Sequence, residues 1–253
     1  MPEFTSPENF KEDCGYTIED VWYPRVTRIV SIKAKPALYH FYAEARSVAA
    51  GQAISEQSAK EGTLLHEAVE ALLLGQEPEV AEIIRPAVDA FRNFREQHRI
   101  GVTPELVETR VVSHDHRYAG TVDAVALIDG KLGVLDIKTS QSIYRDYNLQ
   151  TAAYMAALKD RLEGLETRWI LRIDQSQMCL HCGAKRRVKG GREKVRRNGR
   201  DTCPPDEHVW SDVTGEIQFQ EFPSWQSDFE AFLGAKRLWE WENEYWLKKI
   251  GYL

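Results

Sequence analysis

The stretch GTVDAVALIDGKLGVLDIKTS, residues 120–140, sets two apolar runs on either side of Asp129-Gly130. An Asp-Gly pair in that position is a strong signal for a two-residue hairpin loop. With those two residues as the loop, Ile128 pairs with Lys131, Thr121 falls opposite Lys138, and Asp123 falls opposite Asp136. Strand side chains alternate. Asp123, Val125, Leu127, Leu132, Val134, Asp136 and Lys138 therefore share one face, and Val122, Ala124, Ala126, Leu135 and Ile137 share the other. Both faces are apolar, which predicts a sheet covered by helices on both sides. Directly opposed Cβ atoms lie roughly 4.5–5.5 Å apart, where like charges destabilise the pair. Two carboxylates so placed share a proton or hold a cation. The plainer alternative is a neutralised Asp–Lys cluster that merely joins the strands, although an apolar pair would do that without the desolvation cost.

The whole chain is compatible with such a sheet. Its 253 residues suffice for one large core, or for one domain with an insertion. With 43% apolar and 28% charged residues the composition is that of a soluble globular protein. No apolar run approaches the ~20 residues needed to span a membrane. Early acids (Glu3, Glu8, Glu12, Asp13, Glu19, Asp20) argue against a mitochondrial transit peptide. Four cysteines, two of them in a C-x-x-C, fit a reducing cytoplasm. A net charge of −6 argues on its face against a nucleic-acid partner. The charge is uneven, however: Lys185–Arg200 carries nine Lys or Arg and one Glu, leaving about −14 on the remainder. The chain is better described as an acidic body with a local basic arm.

Residues 1–22 read as a loose leader, 23–178 with 209–253 as the main domain, and 179–208 as a basic, cysteine-containing insertion. A helical stretch is expected around PALYHFYAEARSVAAG, and another over 61–75, where Leu65, Val69, Leu72 and Leu73 recur at helical spacing before Gly75. A third helix is expected from about Glu79 to His98. Strands are expected over 105–113, 167–173 and 216–222, helices over 144–162 and from Ser224 onward. This order predicts an α/β domain with a mixed sheet.

Further polar residues line up with the hairpin. His66 and Glu70 are i, i+4 neighbours in Gly62-x-x-x-His66-x-x-x-Glu70, and a neutral imidazole is a good ligand for a divalent transition metal. Gln150 and Tyr154 are also i, i+4, early in the helix after the hairpin, where amide and hydroxyl can touch a phosphate or order neighbouring residues. Glu108, on the preceding strand, is a candidate for one more carboxylate. Taken singly, each has an ordinary structural explanation: a satisfied helix histidine, a surface amide, a core aromatic, an exposed strand acid.

Taken in order, these elements resemble the RecB-type branch of the PD-(D/E)XK nuclease superfamily. Gly62–His66–Glu70, Gly120-Thr-Val-Asp123, Asp136-Ile-Lys138 and Gln150-Thr-Ala-Ala-Tyr154 follow that branch's pattern in order and spacing. YPRVTRIV (23–30) and VLDIKTS are similar to single-strand DNA exonucleases of the mitochondrial genome-maintenance type and their phage relatives. The resemblance spans roughly residues 23–160. It implies a restriction-endonuclease-like fold and a bacterial or phage-encoded cytoplasmic enzyme acting on DNA, with no membrane partner. It further implies that Asp123 and Asp136 ligate Mg²⁺ or Mn²⁺, with the Ile137 carbonyl adding an oxygen and His66 a further ligand that favours Mn²⁺. Lys138 would orient or activate the attacking water, and Gln150 and Tyr154 would support the site or contact DNA. Glu108 corresponds more weakly.

The cysteines admit three readings. Cys14 upstream with Cys179, Cys182 and Cys203 downstream matches in number the [4Fe–4S] cluster of some RecB-like nucleases. Against that reading, the Cys182–Cys203 gap is long, and Cys14 lacks a Cys-Pro context. Cys179-Leu-His-Cys182-Gly183 instead has the form of a zinc knuckle that Cys203 and His208 would complete as Cys₃His. Plain reduced cysteines are the third reading. Gly190-Gly191 and Asn198-Gly199 offer turns, predicting a projecting basic ribbon tied at its base by zinc, whose Lys185, Arg186, Arg187, Arg196 and Arg197 grip the DNA backbone. The function expected is a metal-dependent DNA exonuclease on single strands or ends. A non-catalytic nucleic-acid-binding module and a structure-specific endonuclease are the competing readings. The intact Asp–Asp–Lys set argues against the binding module, which has no need of opposed carboxylates.

Overall fold

Asp129 and Gly130 make the expected hairpin loop, with φ of +49° and +91°, the left-handed pair that a primed two-residue turn requires. The Asp129 carboxylate also anchors the preceding chain, accepting from the Arg99 N–H at 2.9 Å. Residues 4–197, 199 and 203–253 are described by the computed structural model. The chain begins with helix α1 (Pro7–Cys14), strands β1 (Gly15–Ile18) and β2 (Val21–Pro24), and helices α2 (Val26–Val30) and α3 (Pro36–Glu44). Helices α4 (Val48–Leu73) and α5 (Arg85–Gln97) lead into strands β3 (Ile100–Ser113), β4 (Tyr118–Ile128) and β5 (Lys131–Lys138). Then come helix α6 (Asp146–Leu158) and strands β6 (Leu165–Met178), β7 (Lys185–Lys189), β8 (Arg192–Arg196) and β9 (Thr214–Glu221). Helices α7 (Gln226–Glu242) and α8 (Glu244–Lys249) follow.

The main sheet has seven strands and is mixed. Strands β3, β4 and β5 form an antiparallel meander. Strand β5 then runs parallel to β6, a connection that needs a crossover, which α6 supplies. Strand β9 and the β7–β8 ribbon pair antiparallel to β6. Helices cover both faces, as the two apolar faces of the hairpin require. On one side Val125 and Val134 pack with Tyr154, Met155, Phe232 and Trp239. On the other Ala124, Ala126, Leu135 and Ile137 meet Leu65, Val69, Leu72 and Phe91. Strict alternation places Val122 with Ala124, but the structure puts it with Val125 in the first cluster. The alternation breaks at Asp123, beside a β3 residue, Glu108, held at φ +47°, a conformation that bends an extended strand.

Arg168 of β6, fully buried, ties the crossover helix to the last helices. It donates to the Asn148 carbonyl, the Thr151 hydroxyl and the Phe222 and Ser224 carbonyls, and pairs with Asp228. The buried cation thus has acceptors on every side, which is the condition for tolerating it. Through this clamp α6 keeps its place over the sheet.

Strand β3 starts at Ile100 rather than 105 and β6 runs on to Met178 rather than 173, and three further differences have a physical cause. Helix α4 starts at Val48 rather than near Glu61, because its polar, largely exposed first half shows no apolar stripe. Helix α5 starts at Arg85, with Pro86 in its first turn after a 3₁₀ turn at Glu82–Ile84. The third correction concerns the supposed loose leader. Ser6 caps α1 by accepting from the Asn9 N–H at 3.1 Å, and Phe10, fully buried, stacks against Trp239 and Trp246 and lies beside Trp22. A helix reading PENFKEDC carries a single large apolar residue, too little for a periodic signal.

Removing that residue tests whether the N-terminal helix belongs to the core. Phe10→Ala is expected to cost about 3–5 kcal/mol, seen as a lower midpoint in a single denaturant-unfolding transition. An unchanged midpoint would return residues 1–22 to the status of a leader.

Candidate active site

The β4–β5 ladder holds the expected register from Ile128↔Lys131 to Ala124↔Leu135 and stops there. The direct pairs Asp123–Asp136 and Thr121–Lys138 are not formed as ladder pairs. The Asp123 carboxylate instead accepts a hydrogen bond from the Ile137 N–H at 2.6 Å, taking the place of a strand partner. Two ionised carboxylates directly opposed repel, and parting the strands relieves that repulsion. Asp136 is 1% exposed, and its Oδ1 has no hydrogen-bond partner. Lys138 Nζ lies 2.6 Å from Asp136 Oδ2 and 5.1 Å from the centre of the Tyr147 ring. Burial, only partly offset by Lys138, raises the Asp136 carboxyl to about 6. Burial also raises Asp123, against the pull of Lys138 and the Ile137 N–H. Burial works against the Lys138 charge too, but the two aspartates outweigh it and its pKa is raised. Lys138 is therefore an ammonium at neutral pH.

Helix α4 brings His66 and Glu70 to the same place. Burial and the Lys138 charge lower the imidazole to about 4, so it is neutral at pH 7 with a lone pair to give. Glu70 and Glu108 share a hydrogen bond, and both carboxyls are raised, chiefly by burial, Glu108 to about 7. These residues border an open cleft with Gly62, Ser58 and Thr139. Two glycines permit the approach. A Cβ on Gly62 would lie 3.0 Å from Thr139 Oγ1, and one on Gly120 would lie 2.5 Å from the Tyr154 ring. On α6, Gln150 Nε2 donates to the buried Tyr154 hydroxyl at 3.0 Å. The sequence-expected residues His66, Glu108, Asp123, Asp136 and Lys138 thus lie within electrostatic reach of one another; His66 and Glu108 line the cleft with Thr139, and Tyr154 and Gln150 stand on α6.

Cys179, Cys182, Cys203 and His208 bring their ligand atoms within 4.8 Å of one another, the only such group among the described residues. The carboxylates of the cleft are more widely spread. Cys179 Sγ and Cys203 Sγ are 3.9 Å apart, and Cys182 Sγ and His208 Nδ1 are 3.5 Å apart. A tetrahedron with Zn–S bonds of ~2.3 Å has edges of ~3.8 Å, so the four ligand atoms fit a zinc ion. Cys14 is not in the group. It is buried in the N-terminal cluster, where burial and Asp13 push its thiol up to about 11.

The basic segment forms the expected ribbon with Gly190-Gly191 as its loop, but it docks rather than projects. Lys185 donates to Glu216 at 2.6 Å, Arg186 to Gln177 at 2.6 Å and Arg187 to Asp174 at 2.6 Å. The Gly190 N–H donates to Glu61, and Lys189 and Arg187 donate to the Thr139 carbonyl, one residue past Lys138. Arg196 and Arg197 are exposed. The physical reason for docking is that β6 and α4 offer buried acceptors, Asp174 and Glu61, that need partners. The other expected turn includes Asn198, which lies outside the described residues.

A family model described as the PD-(D/E)XK nuclease superfamily matches residues 36–238. The chain belongs to that superfamily. No curated protein matches it. Among solved structures, this superfamily member is similar to one titled "Crystal structure of SSO0001", at 17% identity and a TM-score of 0.39, over 89% of this chain and 84% of that one. It is also similar to LHK-Exo in complex with dAMP, at 13% identity and a TM-score of 0.33, over 90% of this chain and 93% of that one. The mixed sheet with helices on both faces agrees with the superfamily's restriction-endonuclease-like fold.

Reading the sequence missed Lys189 and Tyr147 beside the site, and the Arg172–Asp174–Arg187 chain of ion pairs beneath it. The ribbon's register was the available signal for Lys189, since Gly190-Gly191 fixes which residues share a face.

The raised Asp136 carboxyl gives a test with a definite sign. An unfolded aspartate titrates near ~3.9. A carboxyl raised on folding costs stability above its folded pKa, and the cost fades as pH falls through that value. Asp136→Asn is therefore expected to melt above the parent at pH 7.5 without added divalent metal. The gain should shrink between pH 7 and pH 5. A gain independent of pH, or a loss at pH 7.5, would contradict this.

Proposed function

We propose that the protein is a metal-dependent DNA nuclease that hydrolyses phosphodiester bonds, acting as an exonuclease on single strands or ends. The observation that carries this reading is Asp136, buried with Oδ1 without a partner and Oδ2 paired only to a protonated Lys138, one residue before the cleft-lining Thr139. Such a group is costly unless a cation completes it. Asp123, Asp136, the neutral His66 and the Ile137 carbonyl would hold Mg²⁺ or Mn²⁺, with Glu108 and Glu70 at the rim. A divalent ion held there supplies electrostatic stabilisation for charge developing on the phosphate.

The chain's own groups do the rest. Lys138, held as an ammonium, donates to the attacking water or a phosphate oxygen and so orients it. The Gln150–Tyr154 hydrogen bond, packed against Gly120, fixes the wall behind Asp123 and Asp136. Cys179, Cys182, Cys203 and His208 would hold a structural Zn²⁺ that ties the ribbon's two ends together. Lys185, Arg186 and Arg187 then serve the ribbon's placement as well as DNA, while Arg196 and Arg197 are free to meet the backbone.

End-labelled single- and double-stranded DNA, incubated with Mn²⁺, Mg²⁺ or neither, tests the reading. Release of mononucleotides from ends is expected, with Lys138→Ala and Asp136→Asn each losing at least about a hundredfold in rate. Retained cleavage by Lys138→Ala would remove that residue from the mechanism. His66→Ala should lose more Mn²⁺-supported than Mg²⁺-supported activity, because imidazole favours the softer ion. Equal losses would assign His66 to packing. Metal analysis of the purified protein should find about one zinc per chain; iron with visible absorbance would instead support the cluster.

A further inference from the structure

The register of the basic ribbon pairs Lys185 with Arg196, Arg187 with Lys194 and Lys189 with Arg192. All six residues on that face are cations, each directly opposite another. The other face carries Arg186 with Val195 and Val188 with Glu193. Like charges in direct cross-strand pairs destabilise a ribbon, so the arrangement calls for anions along its length. The protein supplies some: Glu216 for Lys185, Asp174 for Arg187 and Glu44 for Arg192. Lys194 and Arg196 have no ion pair among the described residues and are exposed.

This face is one wall of a cleft. Arg187, Lys189, Arg192, Lys194 and Arg196 line it, and His40 and Phe41 of α3 line it too, together with Tyr144. The Arg192 guanidinium lies 4.8 Å from the centre of the Phe41 ring. Gln141 and Ser142, three and four residues past Lys138, line the cleft as well. The cleft therefore adjoins the site. The ribbon cations match a chain of phosphates, and the other residues offer aromatic faces.

We infer that this cleft is a track for a single strand of DNA, its phosphates on the ribbon cations and its bases against Phe41, Tyr144 and His40, leading to the Asp123–Asp136–Lys138 site. A duplex keeps its base faces stacked inside, so only a single strand can use both sets of residues. The inference rests on the nuclease reading for its destination but not for its binding.

Binding is measured by fluorescence anisotropy with Lys138→Ala protein and no added Mg²⁺ or Mn²⁺. The probes are labelled oligo(dT) of twenty nucleotides and a blunt duplex of twenty pairs. The oligonucleotide should bind at least tenfold more tightly than the duplex. Adding Lys194→Ala with Arg196→Ala should weaken oligonucleotide binding and reduce the slope of log affinity against log salt by about 1.4. Adding Phe41→Ala or Tyr144→Ala should weaken it roughly five- to a hundredfold and leave that slope unchanged. Circular dichroism checks that each variant is folded. Equal binding of duplex and single strand, or aromatic variants that bind like their parent, would overturn the track. Mn²⁺-dependent hydrolysis of the p-nitrophenyl ester of thymidine 5′-phosphate by the unmutated protein reads the site separately, since so small an ester needs no track. If the ester is untouched while binding behaves as expected, the nuclease reading falls and the track stands. If the ester is hydrolysed but the variants bind unchanged, the track falls alone.

Discussion

A buried carboxylate with a single lysine for a partner is the constraint around which this molecule is arranged. Asp136 sits on β5 between apolar neighbours, with Lys138 as its one close cation. Its cost is visible in the surroundings: the strands part beyond Ala124↔Leu135, Asp123 turns its charge to a backbone N–H, and carboxyls across the cleft hold protons more tightly than usual. A fold assembled for stability alone would place an apolar pair there. The site is a store of electrostatic strain that a divalent cation would relieve.

The scaffold serves the same end. Helix α4 crosses close to the end of β5 because Gly62 carries no side chain toward Thr139, and it delivers His66 and Glu70. Helix α6 is fastened by Arg168 and fills the space left by Gly120 with the Tyr154 ring. The inserted ribbon reaches the same residues from the third side, through the Thr139 carbonyl and Glu61. Elements far apart in the chain thus converge on the few residues after Ile137. The Cys₃His group lies at the opposite end of the ribbon from its docked tip, so a zinc ion there would restrain both of its strands.

Much of this was legible in the sequence where local chemistry dictated it. Asp129-Gly130 fixed a turn and hence a register, and the register named the faces of the hairpin as far as Ala124. The spacing of Gly62, His66 and Glu70 placed three groups on one helix, and Cys179-x-x-Cys182 with Cys203 and His208 named the four residues whose ligand atoms the structure gathers. What stayed hidden depended on partners distant in sequence. The burial of Phe10 depends on tryptophans more than two hundred residues away. The docking of the ribbon depends on Asp174 and Glu61, acids whose burial no local pattern announces.

The central claim, that the Asp136 cluster is built for a divalent cation, is met most directly by anomalous diffraction at the manganese edge from crystals soaked in MnCl₂. The account predicts one strong peak touching Asp136 and Asp123, with Lys138 Nζ drawn away from Asp136. Manganese absent from this cleft, with the Lys138–Asp136 contact intact, would contradict it.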